Sequence, residues 1–244
     1  MSRPVSLRAK GRILRDSVAT LGVGGTLRRI LVYYLTYRPG EDRSFDRRHG
    51  TDTSGLLMPP DWSFEDESLR DQAVGYVPSP ARVTRAMLGA LDVALEPFSF
   101  VDVGCGKGRV LLVAAELPFR QVVGVEASPA LAIVARDNLQ RARNLRVRCR
   151  DLRVDIGDAM TWPLPAGDLI LHLYHPFGPD VLTGFLARVD DSLAREPRRL
   201  RLLYLRERPE ISEVFAATSW LRRLRAVRCV DPLYSWAVFG AGDS

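Results

Sequence analysis

From residue 76 to the C-terminus, hydrophobic and polar positions follow two alternating patterns. Short runs rich in Val, Leu and Ile are typical of buried strands, whereas apolar residues every three or four positions are typical of helices. The segments predicted as strands are Phe98–Val103, Gln121–Glu126, Leu152–Ile156, Asp168–Tyr174, Leu200–Leu205, Leu221–Val227 and Leu233–Phe239. The segments predicted as helices are Pro80–Leu95 with Ser79 as its N-cap, Arg109–Leu117, Pro129–Ala142 capped by Ser128, Asp180–Leu193 and Glu210–Ala217.

The alternation of these elements predicts the fold class. Strands that alternate with helices imply right-handed crossovers and a mainly parallel sheet with helices on both faces. The last two strands, joined by Asp231-Pro232, are expected to form an antiparallel hairpin at the edge of the sheet. The sequence therefore predicts a doubly wound α/β domain with a seven-strand sheet over residues 76–244. Residues 1–75 are predicted to form a basic N-terminal extension, either a lid or a helical appendage.

Composition places the chain among ordinary globular proteins. Its 244 residues are 46% hydrophobic and 26% charged, enough for one core with an appendage. The longest apolar stretch, Ile30–Leu35, is far shorter than the ~20 residues of a membrane-spanning helix, so none is predicted. The three cysteines, Cys105, Cys149 and Cys229, are widely separated, which argues against a disulfide framework or a zinc site. A reducing, cytoplasmic location is expected.

The net charge of +6 permits an anionic partner without requiring one. Arginine-rich runs lie at 141–153, 195–208 and 222–228, but they lack the interleaved aromatic residues that stack on single-stranded bases. An RNA partner therefore stays open without being favoured. The segment Leu27–Arg38 is predicted as a helix that packs on the domain, with membrane-surface binding as the alternative.

The most informative segment is the strand that ends in Gly104, Gly106 and Gly108. Closely spaced glycines let the backbone approach a ligand that any Cβ would obstruct, and the following helix points its free N–H groups at the same place. The spacing is neither the G-x-G-x-x-G of dinucleotide sites nor a phosphate-binding P-loop. Asp102 adds a carboxylate, which suits a ligand that carries an ammonium group better than one that carries a pyrophosphate.

Two further carboxylates extend this site. Glu126 ends the next strand, where an acid accepts hydrogen bonds from a ribose diol. Asp158 follows the third strand, where it can accept a hydrogen bond from the adenine amine. Recognition of an ammonium, a ribose and an adenine together indicates S-adenosylmethionine.

On these residues the chain resembles the class I, seven-strand S-adenosylmethionine-dependent methyltransferases from about Tyr76 to its C-terminus. The resemblance is carried by D-x-G-x-G-x-G at Asp102–Gly108, by Val125-Glu126 and by Gly157-Asp158-Ala159. It implies a Rossmann-like methyltransferase fold with S-adenosylmethionine as cofactor. The cofactor-binding residues that it implies are Tyr76, Asp102, Gly104, Cys105, Gly106, Gly108, Glu126, Ala127, Asp158 and Ala159.

Within the superfamily, three segments resemble an uncharacterised bacterial branch that is similar to non-SET, seven-strand protein-lysine methyltransferases. These segments are Gly106–Val110, Tyr76–Ser79 and Phe45–Ser54. We interpret Tyr76 and the Asp46–Ser54 segment as a lid over the cofactor. Lys107 and Arg109 are expected to be solvated or paired with acids, and Cys105 to be a small residue tolerated in the loop.

The acceptor side is predicted at His175, Pro176 and Phe177, the three candidate catalytic residues. Amine-methylating relatives carry Asn/Asp-Pro-Pro-aromatic here, and the branch carries Asn-Pro-Phe, so His175 replaces the asparagine. A neutral imidazole can accept a hydrogen bond from the acceptor or act as a general base. It can also simply cap the strand, and Phe177 can be an ordinary core residue.

Methyl transfer is an in-line displacement that depends on positioning and on the exclusion of water, so no metal is required. A nitrogen acceptor, such as a protein lysine, is favoured over an oxygen acceptor. Small molecules and RNA stay open as acceptors. A catalytically silent cofactor- or partner-binding module is the rival class.

Overall fold

The computed structural model describes residues 23–24, 39–55, 76–229 and 234–242. Leu27–Arg38 and the Asp231-Pro232 turn lie outside the described residues. The elements in chain order are α1 (Pro39–His49), α2 (Ala81–Leu88), β1 (Ser99–Val103), α3 (Arg109–Ala114), β2 (Gln121–Glu126), α4 (Pro129–Arg141), β3 (Leu152–Ile156), β4 (Leu169–Tyr174), α5 (Pro179–Arg195), β5 (Leu200–Leu205), α6 (Pro209–Ala217), β6 (Arg222–Val227) and β7 (Trp236–Ala241). Within these ranges, no helix is long and apolar enough to cross a membrane.

The seven strands form one sheet in the order β3-β2-β1-β4-β5-β7-β6. Strands β1 to β5 are parallel, and β7 runs antiparallel between β5 and β6. The predicted doubly wound fold and its antiparallel C-terminal pair are confirmed. The strand order reverses between β1 and β4, and open α/β sheets bind ligands at the carboxyl ends of strands beside such a reversal.

Helices cover both faces of the sheet, because successive side chains of each strand point to opposite sides. One core cluster joins the sheet to α2, α3 and α4, and it includes Phe100 of β1 and Phe45 of α1. The other joins the sheet to α5 and α6, and it includes Val101 of β1. The central strands are therefore buried on both faces, as expected for a parallel sheet.

The first helix of the predicted domain is shorter than the sequence indicates. Helix α2 ends at Leu88 rather than Leu95, and the N–H of Gly89 bonds to the carbonyl of Arg85. Beyond it, the apolar residues 90, 91, 93 and 95 pack against the core from irregular backbone. Ser79 is not the N-cap, because its hydroxyl pairs with Thr84 instead. The apolar spacing of these residues therefore reflects their burial against the core and not a continuation of the helix.

One carboxylate organises the end of α1 and the loop that follows it. Asp46 accepts hydrogen bonds from the Thr51 hydroxyl and from the backbone N–H and hydroxyl of both Thr53 and Ser54. We refer to residues 45–55 as the Asp46 segment. Although burial opposes ionisation of Asp46, hydrogen bonds from Ser54, Thr53 and Thr51 outweigh it and lower the pKa below 3.8.

The Asp46→Asn variant is expected to lower the free energy of unfolding by about 2 kcal/mol at neutral pH, since one acceptor oxygen becomes a donor facing other donors. Because the folded-state pKa lies below 3.8, this contribution is complete above that pH. It is lost as the pH falls through the folded-state pKa. Urea titrations of both proteins across this range measure the difference.

The matched control is Asp137→Asn, which removes an exposed carboxylate paired with Arg141 on α4. A surface pair of this kind contributes little, so the control should unfold like the wild type. Equal stability of Asp46→Asn and the wild type at neutral pH would refute the role of Asp46.

Candidate functional site

The glycine loop between β1 and α3 adopts a backbone conformation that favours glycine. Gly104, Gly106 and Gly108 all have positive φ, at 74°, 54° and 82°. The backbone N–H groups of Gly104 and Cys105 both donate to the carbonyl of Val125 at the end of β2. The loop is therefore fixed to the neighbouring strand, and Gly108 serves as the N-cap of α3.

Tyr76 lies directly on this loop. A Cβ built on Gly106 would be 2.4 Å from the Tyr76 ring, so only glycine leaves room for the ring. The Tyr76 hydroxyl donates to the carbonyl of Thr53, 2.7 Å away, which connects the ring to the Asp46 segment. Both parts of the predicted lid thus lie beside the glycine loop, and their closure over a cofactor stays a prediction.

Two buried cations join the Asp46 segment to the loop. Lys107 and Arg109 are each only 2% exposed. The Lys107 ammonium lies 3.5 Å from the Asp52 carboxylate, and the Arg109 guanidinium lies 3.9 Å from Asp46 and donates to the Thr53 hydroxyl at 2.8 Å. Of the two sequence expectations, solvation is wrong and pairing with acids is confirmed. The acids lie more than fifty residues upstream, so local patterns did not identify the pairs.

Asn138 of α4 holds both partners of this junction. Its side-chain amide donates to the carbonyls of Asp52 and Lys107, at 3.1 and 2.9 Å. Its carbonyl oxygen accepts from the backbone N–H of Asp52 at 2.8 Å. Because Asn138 is fully buried and its amide is satisfied on both ends, it rigidly couples the loop to the upstream segment.

Glu126 is the buried carboxylate at the end of β2. Its two oxygens accept from the backbone N–H groups of Gly106 and Ser128, at 2.8 and 2.9 Å, with Ala127 between Glu126 and Ser128. Burial raises the pKa of Glu126, and these backbone hydrogen bonds oppose the rise. A carboxylate has about four acceptor positions, more than these backbone groups occupy, so it can also accept from a hydroxyl of a ligand.

Asp102 lies in β1, beside His172 of β4 in the parallel register. The Nδ1 atom of His172 is 2.6 Å from the Asp102 carboxylate, and both side chains are buried. The second carboxylate oxygen has no hydrogen-bond partner among the described residues. The predicted contact with an ammonium stays a prediction, and His172 is a partner that sequence reasoning missed. In the sequence, His172 is only one residue of the predicted strand Asp168–Tyr174.

The thiol of Cys105 packs into the sheet. A Cβ on Gly124 would be 2.6 Å from the Cys105 sulfur, so the glycine in β2 makes room for the thiol. Burial raises the pKa of Cys105 well above its ordinary value, with Glu126 and Asp102 adding to the effect. A protonated, enclosed thiol is not a nucleophile, in agreement with its interpretation as a small loop residue.

The Gly157-Asp158-Ala159 turn follows β3. The N–H of Gly157 donates to the carbonyl of Glu126 at 3.0 Å, which places the turn beside the end of β2. One Asp158 oxygen accepts from the Met160 N–H, and the other has no partner among the described residues. Asp158 is partly exposed at this edge, and its contact with an adenine stays a prediction, as does that of Ala159.

The acceptor turn lies against the glycine loop. The Cβ of Pro176 is 3.5 Å from the position that a Cβ would take on Gly104. The Phe177 ring packs on Phe185 of α5, with ring centroids 5.6 Å apart, and stays partly exposed. The ends of the adjacent strands β1 and β4 therefore place the predicted cofactor loop and the predicted acceptor turn close together.

His175 is buried at this turn, and its Nδ1 lies 3.2 Å from the hydroxyl of Tyr204 on β5. Burial lowers the pKa of His175 to about 4, and the positive charges of Arg208 and Arg206 act in the same direction against an opposing effect of Glu210. Burial also raises the pKa of Tyr204. At neutral pH the pair therefore consists of a neutral imidazole and a protonated phenol. The sequence places Tyr204 only within the predicted strand Leu200–Leu205 and gives it no role in the site.

Comparisons with known proteins identify similar methyltransferases. Residues 100–196 match the family described as Methyltransferase domain. The Type II methyltransferase M.XamI of Xanthomonas campestris pv. amaranthicola is 34% identical over 40% of this chain and 19% of its own length. The Protein-L-isoaspartate O-methyltransferase of Methanopyrus kandleri is 29% identical over 65% and 75%. The Protein-lysine N-methyltransferase of Saccharolobus islandicus is 33% identical over 35% and 56%.

A solved structure described as a possible methylase from Clostridium difficile 630 superposes with a TM-score of 0.50 at 12% identity. The match covers 69% of this chain and 54% of that one, and it concerns the fold alone. The chain spans only about a fifth of the length of the Xanthomonas relative. Residues 100–196 match the methyltransferase domain family, and the seven-strand sheet has the fold of the class I S-adenosylmethionine-dependent methyltransferases.

Proposed function

We propose that this chain transfers a methyl group from S-adenosylmethionine to an acceptor held at the His175–Phe177 turn. The observation that carries the proposal is the proximity of Pro176 to Gly104, since a Cβ added to Gly104 would lie 3.5 Å from the Cβ of Pro176. It puts the two halves of the site, one from β1 and one from β4, within reach of the same small group. A module that only bound the cofactor would not need this second half.

The residues present fit the proposed cofactor. A Cβ on Gly106 would collide with the Tyr76 ring, so the glycine lets other groups approach the loop backbone closely. Glu126 can accept further hydrogen bonds from a ribose diol. Asp102 and Asp158 each have one oxygen without a partner among the described residues, the first proposed for the ammonium and the second for the adenine amine. When bound, the cofactor supplies a sulfonium methyl group that is open to displacement.

The chain's own residues position the acceptor and exclude water. Pro176 and the partly buried Phe177 ring enclose the reacting centre, and His175 supplies a polar atom. A general base works best when its pKa is near the operating pH, whereas burial sets that of His175 at about 4. Hydrogen bonding to the acceptor therefore suits His175 better than proton abstraction does.

Different observations support two acceptor classes. The resemblance to protein-lysine methyltransferases and the name of the Saccharolobus relative support a nitrogen acceptor. The substitution of His175 for the branch's asparagine, together with the name of the Methanopyrus relative, supports an oxygen acceptor. RNA is the weaker alternative, because the arginine-rich runs lack stacking aromatics.

Isothermal titration with S-adenosylhomocysteine is expected to show micromolar binding, with no binding of NAD or ATP. In Glu126→Gln the affinity should fall about tenfold or more, because hydrogen bonds to an ionised carboxylate are lost. The matched control is Glu116→Gln, a partly exposed carboxylate paired with Arg85. Its affinity should equal that of the wild type. Failure to bind S-adenosylhomocysteine, or equal binding of NAD, would contradict the proposed function.

Tyr76 provides a test of the lid. Tyr76→Phe removes only the bond to the Thr53 carbonyl, and the affinity for S-adenosylhomocysteine should fall about threefold. Tyr76→Ala also removes the ring over Gly106 and should increase the dissociation rate further, as stopped-flow measurement would record. If both variants release the ligand at the wild-type rate, Tyr76 does not act as a lid.

A further inference from the structure

The two strands beside the acceptor turn end in the same unusual way. Tyr174 and Leu205 pair in the register of β4 and β5, and the next residue of each strand has positive φ, at 45° for His175 and 67° for Arg206. Only one other described non-glycine residue, Asn144, has positive φ. Such backbone strain in side-chain-bearing residues tends to occur at ligand sites, and here it occurs twice at adjacent positions.

The hydrogen bond between His175 and Tyr204 determines which ring nitrogen carries the proton. Tyr204 is fully buried, and the Nδ1 of His175 is the partner of its hydroxyl. Leaving the buried Tyr204 O–H without an acceptor costs more free energy than moving the imidazole proton from Nδ1 to Nε2. Tyr204 therefore donates to Nδ1. The neutral ring then carries its proton on Nε2. Among the described residues Nε2 has no partner, so it is available to donate to a ligand.

Two arginines lie near enough to this donor to act on it electrostatically. Arg206 follows β5 directly and Arg208 lies two residues further on, and both act electrostatically on His175. The Glu210 carboxylate lies 3.8 Å from the Arg208 guanidinium, and both groups are about half exposed. The acceptor turn therefore presents an N–H donor and a net positive field, the reverse of the acceptor oxygen that an asparagine offers to an amine.

We propose that the methyl acceptor is a carboxylate, bound through one oxygen by the Nε2–H of His175 in the field of Arg206 and Arg208. This inference rests on the proposed methyltransferase function and specifies its substrate class. The second carboxylate oxygen forms a bond to the methyl carbon as the bond from that carbon to the sulfonium sulfur breaks. The electron pair of the broken bond stays on sulfur, the product is a methyl ester, and no proton is transferred.

The absence of proton transfer suits the groups at the turn. An ammonium or a hydroxyl must lose a proton before or during transfer, whereas a carboxylate is already ionised at neutral pH. Within the described part of the chain, the side chains nearest His175 supply no base. Tyr204 is a protonated donor, and Glu210 is paired with Arg208. A cationic amine would also be repelled by the arginines.

The tautomer is tested by NMR on protein labelled with 15N-histidine. The chain has three histidines, and the His175→Asn variant identifies the signals of His175. The expected result is a proton on Nε2, with and without S-adenosylhomocysteine, and a shift of the proton towards Nδ1 in Tyr204→Phe. A proton on Nδ1 in the wild type would overturn the proposal. Because the ligand-free protein reports it, this result is independent of cofactor binding.

The acceptor class is tested by titrating the S-adenosylhomocysteine complex with succinate, with uncharged succinamide and with butylammonium, a mimic of lysine. Succinate alone is expected to move the Nε2 signal of His175. Arg208→Gln should weaken succinate about threefold, as expected for a half-exposed charge, while Arg141→Gln on the surface of α4 should change nothing.

A stronger response to butylammonium than to succinate would overturn the carboxylate and support a nitrogen acceptor. No response to succinate, or an equal response to succinamide, would also overturn it. Failure of the complex to form with S-adenosylhomocysteine would instead remove the proposed function itself, so the two failures are distinguishable.

Discussion

The hydrogen bond from the Gly106 N–H to the Glu126 carboxylate is the interaction on which the site depends. It joins a loop that requires positive φ at every second residue to the end of the neighbouring strand. Without this bond and the Val125 carbonyl, the glycines would lose the most conformational entropy of any residue type with little in return. The carboxylate proposed to bind the ribose is thus also the group that shapes the loop.

The same loop explains why the Asp46 segment packs against the domain. Lys107 and Arg109 follow the glycines and are buried, and a buried charge is costly unless it is paired. Their partners are Asp52, Asp46 and the hydroxyl and carbonyl groups of the Asp46 segment. The buried charges in and after the loop are therefore paired only where the Asp46 segment packs against it.

On the other side of the site, His175 stands where related sequences carry asparagine, and this changes the hydrogen-bonding character of the proposed acceptor turn. An asparagine presents an oxygen acceptor regardless of its surroundings, whereas the role of an imidazole depends on what binds its other nitrogen. Here Tyr204, contributed by the next strand and enclosed by Phe215, supplies that second partner. In the proposed site, Tyr204 therefore determines the role of His175 through its hydrogen bond to Nδ1.

Local patterns along the chain were sufficient for the strands, the mainly parallel seven-strand sheet with its antiparallel C-terminal pair, the glycine loop and the carboxylates near the end of β1, at the end of β2 and after β3. Short apolar runs, glycine spacing and the strand-end position of acids are properties of short segments. The end of α2 was misjudged because apolar spacing does not distinguish a helix from irregular backbone on the same core. The pairing of Asp102 with His172, of Arg109 with Asp46 and of His175 with Tyr204 came only from the tertiary structure. Each pair joins residues far apart in the sequence, and the charge or proton of each depends on which group the fold places beside it.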